Sequence, residues 1–169
     1  MIKVVAALIE KDGKYLIARR KTGSKDVLGK WEFPGGKVEK DETEENAIER
    51  EIKEEFEMSI KAIKFITNNV CEYPDKVVDL RLYECKYISG DFNLHDHFEY
   101  KFVDKNEILE YDLCPADIPL AEYIKKYKSI WLVFYFKESN ISLADTKPVA
   151  AAVTILPALP APSPIKYTS

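Results

Sequence analysis

The sequence predicts a single α/β domain over residues 1–128, and three observations carry that expectation. An apolar, β-prone run at Val4–Ile9 returns as Tyr15–Arg20 across Asp12-Gly13, a hairpin turn signal. A glutamate-rich stretch from Thr43 to about Phe56 places Ile48, Ile52 and Phe56 at helical spacing. Further β-rich stretches then lead into two shorter helical ones.

The elements follow in order from local chemistry. After the first hairpin, residues 21–30 (KTGSKDVLGK) read as a polar loop with two glycines. Trp31-Glu32-Phe33 is a short aromatic strand, broken by Pro34-Gly35-Gly36. Thr43 is placed to cap the long helix, and Glu44 and Glu45 sit in its first turn, where the helix dipole favours negative charge. Residues 60–73 and 76–89 read as strands, residues 89–93 (SGDFN) as a turn, and residues 98–104 (FEYKFVD) as another strand. Residues 105–111 (KNEILEY) and 119–128 (PLAEYIKKYK) read as helices, the second opened by Pro119 at a position proline tolerates. No internal repeat is present.

Composition changes after Lys128. Residues 129–136 (SIWLVFYF) are dense in aromatic and aliphatic side chains, and residues 148–165 are apolar and rich in alanine and proline. Residues 129–169 are therefore expected to be an appendage with no chemistry of its own. An added strand, a cover for a sheet edge and a homodimer surface are the structural readings. An altered reading frame or an appended sequence is the alternative.

The bulk numbers exclude several classes. A chain of 169 residues suffices for one domain with a core. A net charge of -4 argues against binding a nucleic acid polymer by bulk electrostatics, while free nucleotides remain open because a metal ion can screen their phosphates. Cys71, Cys85 and Cys114 are odd in number and form no C-x-x-C, so neither a zinc site nor a disulfide framework is expected, and a reducing cytoplasm fits. The N-terminal apolar run is short and lacks a cleavage-site pattern, and reads as a first strand rather than a signal peptide. No apolar run reaches the roughly 18 residues of a membrane span.

The helix poses the chemical question. Glu51, Glu54 and Glu55 share one arc, adjacent to the apolar one. A solvated charged face is one reading, with Arg50 and Lys53 offsetting some repulsion. Like charges four apart cost roughly 0.2–0.5 kcal/mol each, and the C-terminal end of a helix disfavours anions. A hard divalent cation removes the repulsion, and carboxylate clusters are what magnesium or manganese prefers.

The spacing here is Gly36, five residues, Glu42, seven residues, then Arg50-Glu51-Ile52-Lys53-Glu54-Glu55. This resembles the box of the Nudix hydrolase family, and the flanks ARR, WEFPGGKVE and PADIP resemble its MutT-like nucleotide-pool branch, including the CTP pyrophosphohydrolases. The resemblance covers residues 1–128. It implies an α/β/α sandwich around a mixed sheet with the box as loop-helix-loop. It also implies hydrolysis of a nucleoside diphosphate linked to another group, with Mg2+, or Mn2+, as cofactor. It places Glu51, Glu54 and Glu55 as metal ligands, Glu51 also as a candidate for activating water, the Gly35 carbonyl as a further ligand, Arg50 as the arginine that orients the glutamates, and Glu42 as a structural acid. In that branch an acid just before a strand ending in an aromatic supplies another metal or base carboxylate. Asp96 lies at that place, with Phe102 as the aromatic and Glu99 as the competitor. The resemblance also places Asp117 as base reader, with a helix N-cap as its other reading, and Arg20 and Lys37 as nucleotide contacts, with plain surface cations as theirs.

The remaining residues keep two readings each. His95 and His97 are loop residues or a His-x-His zinc pair without a nearby cysteine. Trp31 and Phe33 stack on a base or, for Phe33 especially, belong to the core. An ionised Asp117 only accepts hydrogen bonds and would suit the amine of cytosine. The expected activity is release of a nucleoside monophosphate and pyrophosphate from (d)CTP, modified dCTP or 8-oxo-dGTP. An ADP-ribose or nucleotide-sugar hydrolase and a catalytically silent binding module are the alternatives. Glu57 stands where the box has a glycine for a left-handed cap, so it carries a stability cost or forces a different exit from the helix.

Overall fold

A computed structural model describes residues 1–126 and 165–166. The strands are β1 (Ile2–Lys11), β2 (Lys14–Arg20), β3 (Trp31–Glu32), β4 (Gly35–Lys37), β5 (Met58–Tyr73), β6 (Lys76–Gly90), β7 (His97–Val103) and the short β8 (Ile165–Lys166). The helices are α1 (Glu44–Phe56) and α2 (Ile118–Lys126). The main strand path runs β3-β2-β1-β6-β5-β8, with β4 on β1 and β7 on β2. The sheet is mixed, because β1 runs parallel to β6 while the β1-β2 and β5-β6 pairs are antiparallel.

β1 is central, and its continuous apolar run follows from burial on both faces. Val5, Ala7 and Ile9 pack toward Ala47, Ile48, Ile52 and Phe56 of α1. Ala6 and Leu8 pack on the opposite face with Leu120, Ala121 and Ile124 of α2. The result is the expected α/β/α sandwich. Each buried Ile or Phe of α1 contributes roughly 1.5–3 kcal/mol, which outweighs the few tenths per like-charge pair along the helix. Thr43 caps α1 by accepting the Asn46 N–H. Glu44 then ties the helix start to the sheet through Lys3, Arg81 and Tyr83. Although its partial burial opposes the charge, these partners hold the carboxyl at about 2. Glu49 accepts the Ala62 N–H and pairs with Lys61. These two glutamates are ties between helix and sheet.

Gly35–Lys37, read only as a break, forms β4 against β1, and two further element boundaries differ from expectation. Residues 105–111 form only a single 3-10 turn, Ile108–Glu110. The Asp104 side chain accepts both the Asn106 backbone N–H and its side-chain amide, and Glu107 N–H closes a turn on the Asp104 carbonyl. That local turn competes with helix. β7 begins at His97, inside the stretch read as loop, because His97 is buried. The apolar run at 129–136 lies outside the described residues. Ile165–Lys166 pairs parallel with β5 at Cys71 and Glu72. Among the described residues no helix is long and apolar enough to cross a membrane.

Candidate functional site

A cleft of about 800 Å³ opens beside α1. Gly35, Gly36, Glu51 and Glu55 line it, as do Arg20, Glu32, Phe33, Cys114 and Asp117, and Lys37, Lys40 and Lys76 add cations. The two glycines are required by close approach. A β-carbon at Gly36 would strike the Glu51 carboxylate, and one at Gly35 the Val5 carbonyl on β1.

Arg50 organises the box acids. Its Nε and Nη2 donate to the two oxygens of Glu42 at 2.9 and 3.0 Å. Nη1 donates to Glu51 Oε1 at 2.9 Å and to Glu54 Oε2 at 3.3 Å, and Nη2 also reaches the Lys37 carbonyl. These hydrogen bonds to Glu42, and then to Glu51, hold the guanidinium charge more firmly than usual, and Arg50 in turn lowers Glu42. Burial raises Glu51 despite Arg50. Glu54 is exposed.

Glu55 is the most perturbed acid on this face. Burial, followed by the charges of Glu32, Glu51 and Asp96, pushes it up to about 9. Its Oε2 is buried and accepts no hydrogen bond among the described residues. A buried, unpartnered carboxylate oxygen repelled by three other acids fits a hard divalent cation. The donors are all oxygens, which suits magnesium or manganese and not zinc. Asp96 is exposed, its carbonyl accepts the Lys21 N–H at 3.0 Å, and its charge reaches Glu55. Its competitor Glu99 is committed to Arg19 at 3.2 Å.

A second polar group sits deeper. Asp117 is 3 % exposed, and its Oδ1 accepts the Phe33 N–H at 2.8 Å. Its side chain therefore bridges to Phe33, just past β3, and does not cap its own helix, while its carbonyl accepts the Ala121 N–H. Burial, reinforced by Glu32, pushes it well above the usual carboxylate range, a direction that favours the neutral acid over an ionised acceptor. Arg20 is likewise not a plain surface cation. Its Nη1 donates to both oxygens of Glu32, at 2.9 and 2.6 Å, so its charge is already matched. Lys37 is exposed on the rim.

The reading of the sequence missed Glu32, and took His97 only as a loop residue or half of a zinc pair. Glu32 is buried, holds Arg20, and meets His97 Nε2 at 3.0 Å. His97 stacks on Phe56 with ring centroids 5.1 Å apart. The available signal was alternation: a glutamate between Trp31 and Phe33 in a short strand points to the face opposite theirs. His95 pairs instead with Glu57, so the two histidines diverge and the zinc-pair reading fails. Trp31 packs edge-on against Tyr111 in the core, whereas Phe33 serves both core and cleft. Glu32, Cys114 and Asp117 bring ligand atoms within 4.8 Å of one another. Arg20 already occupies Glu32, and burial pushes the Cys114 thiol up, away from the thiolate a metal needs, so this trio suits a hydrogen-bonding ligand better than a cation.

Comparison with known proteins is consistent with this geometry. A model of the NUDIX domain matches residues 1–132. The chain is 39% identical over 122 residues to the CTP pyrophosphohydrolase of Escherichia coli K12, covering 72% of this chain and 90% of that one. It is 32% identical over 83 residues to the 8-oxo-dGTP diphosphatase of Proteus vulgaris, covering 48% of this chain and 73% of the relative. The crystal structure of a MutT protein from Methanosarcina mazei superposes with a TM-score of 0.65 at 28% identity, covering 83% of this chain and 96% of that one.

Proposed function

The chain belongs to the Nudix hydrolase family and is a hydrolase of phosphorus anhydrides, and from that premise we propose that it is a magnesium-dependent nucleoside triphosphate pyrophosphohydrolase, releasing a nucleoside monophosphate and pyrophosphate. The observation that carries the reading is Glu55: a buried, unpartnered carboxylate oxygen among like charges, on the wall of a cleft of nucleotide size. Residues 1–128 form the catalytic unit. Glu51, Glu54, Glu55, Asp96 and the Gly35 carbonyl are the donors for Mg2+, with Mn2+ as a substitute. A cation held there would neutralise phosphate charge and acidify water. Arg50 holds Glu51 through Oε1, which leaves Oε2 to orient the attacking water or accept its proton. Lys37 on the rim meets phosphate, and Arg20 acts on the nucleotide through the Glu32 it holds.

Asp117 and Phe33 form the base end. A neutral Asp117 offers a hydroxyl donor as well as an acceptor. Cytosine presents an amine beside an unprotonated ring nitrogen, which matches that pair, and the similarity to a CTP pyrophosphohydrolase leans the same way. The substrates proposed first are therefore (d)CTP and its modified forms. The same donor and acceptor pair mimics an amide, which supports 8-oxo-dGTP as the second reading.

A panel of (d)CTP, 5-modified dCTP, 8-oxo-dGTP, ADP-ribose and nucleotide sugars with Mg2+ tests the proposal, scored for pyrophosphate and for sugar phosphate. Pyrophosphate from a triphosphate is expected. Sugar phosphate as the main product, or turnover unchanged in Glu54→Gln, would sink it. Arg50→Lys removes the two-pronged grip on Glu42 while keeping the charge. It is expected to lower kcat about 10- to 100-fold with the fold retained. Full activity in that variant would remove Arg50 from the machinery.

A further inference from the structure

We infer that Glu57 is a positioning residue: its side chain clamps the loop of residues 91–96 to the end of α1 and so holds Asp96 beside Glu55. The inference rests on the proposal that Asp96 is a cation donor. α1 ends on Glu57 at φ 57° and ψ 21°, the left-handed region, with its N–H on the Lys53 carbonyl at 3.1 Å. Glycine reaches that conformation without a β-carbon clash. What the glutamate adds is its carboxylate. Asn93 Nδ2 donates to Oε2 at 2.8 Å, and His95 Nε2 meets Oε1 at 2.8 Å.

The same two loop residues are also tied by their backbones. Asn93 N–H donates to the Phe56 carbonyl and His95 N–H to the Glu55 carbonyl, each at 3.1 Å, which satisfies carbonyls the helix leaves open. Asn93 and His95 are thus each held twice, once by the helix end and once by Glu57, and Asp96 follows directly. A glycine at 57 preserves the backbone pair and deletes only the side-chain pair. The side-chain pair is therefore removable while these backbone ties, and the Asp96 carbonyl on the Lys21 N–H, remain. Glu57 and His95 are each about half exposed, 50% and 52% by side chain, so their contact adds little to global stability. Its effect is to narrow the conformations open to the residue preceding Asp96, which is the kind of ordering that ligand geometry depends on.

The test compares the full chain with Glu57→Gly, Asp96→Asn and the double variant, measuring Mn2+ affinity by electron paramagnetic resonance alongside thermal melting. Glu57→Gly is expected to melt no lower than the parent, and up to about 2–4 °C higher, because glycine relieves the cap. Its Mn2+ affinity is expected to fall about three- to tenfold, near the low end of what loss of an outer ligand partner costs. The substitution should add nothing in the Asp96→Asn background. Hydrogen exchange at Asn93 and His95 should quicken. A role confined to stability would move melting and metal affinity in the same direction. Unchanged Mn2+ affinity in Glu57→Gly, with a loss in Asp96→Asn, overturns the clamp and leaves Asp96 as a donor. Unchanged affinity in Asp96→Asn overturns the donor reading itself. An equal loss from Glu57→Gly with or without Asp96 overturns the clamp as well.

Discussion

Glu55→Gln is expected to abolish metal-dependent turnover, by on the order of 10³-fold, while making the metal-free protein more stable above neutral pH. The two effects have one cause. Glu55 sits with a buried, unpartnered oxygen among Glu32, Glu51 and Asp96, and its folded value is pushed up to about 9 from an ordinary 4.5. Between those values the native state binds a proton that the unfolded state has lost. Stability from this group is therefore complete below about pH 4.5 and falls as pH rises toward 9, with a slope of at most about 1.4 kcal/mol per pH unit. Melting temperatures in EDTA from pH 5.5 to 8.5 should fall for the parent and run flatter for Glu55→Gln. Saturating Mg2+ should recover more stability at pH 8 than at pH 6, since the cation replaces the proton. Parallel pH curves for parent and variant would show that Glu55 is not the repelled group.

Much of this was legible in the sequence because it is local. The Ile48-Ile52-Phe56 arc, the Thr43 cap, the Asp12-Gly13 turn and the spacing of the box depend on residues within a few turns of one another. The left-handed exit at Glu57 was also readable from its place at the helix end, although what the carboxylate does there was not. Asn93 and His95 lie 36 and 38 residues away. The same holds for the deeper cluster. Glu32 meets His97 across 65 residues and Asp117 meets Phe33 across 84, and no period along the chain announces either contact. Charge state was the hardest to read. Seven glutamates crowd residues 44–57, yet two tie the helix to the sheet, and only the folded surroundings separate Glu44, held at about 2, from Glu55, pushed to about 9. Residues 105–111 failed for the reverse reason, since a local turn at Asp104 overrode a plausible helical pattern.

Asp117→Asn is expected to keep base discrimination within about threefold, whereas Asp117→Ala should cost about 10- to 100-fold in kcat/KM for the preferred nucleotide. The difference follows from the proton. Burial favours the neutral acid at 117, and asparagine reproduces its pattern of one acceptor and one donor at nearly the same volume. Asparagine can also keep the acceptor that the Phe33 N–H requires. Alanine removes both functions and leaves that buried N–H unpaired, at a cost of about 1–3 kcal/mol in stability. Measured as kcat/KM for dCTP against dUTP and dGTP, selectivity of the parent should decline as pH rises through the raised Asp117 value. That of Asp117→Asn should not change with pH for any reason arising at this position. An asparagine variant that behaves like alanine would mean that Asp117 reads the base as an anion, and the choice of cytosine would then rest on acceptance from its amine alone.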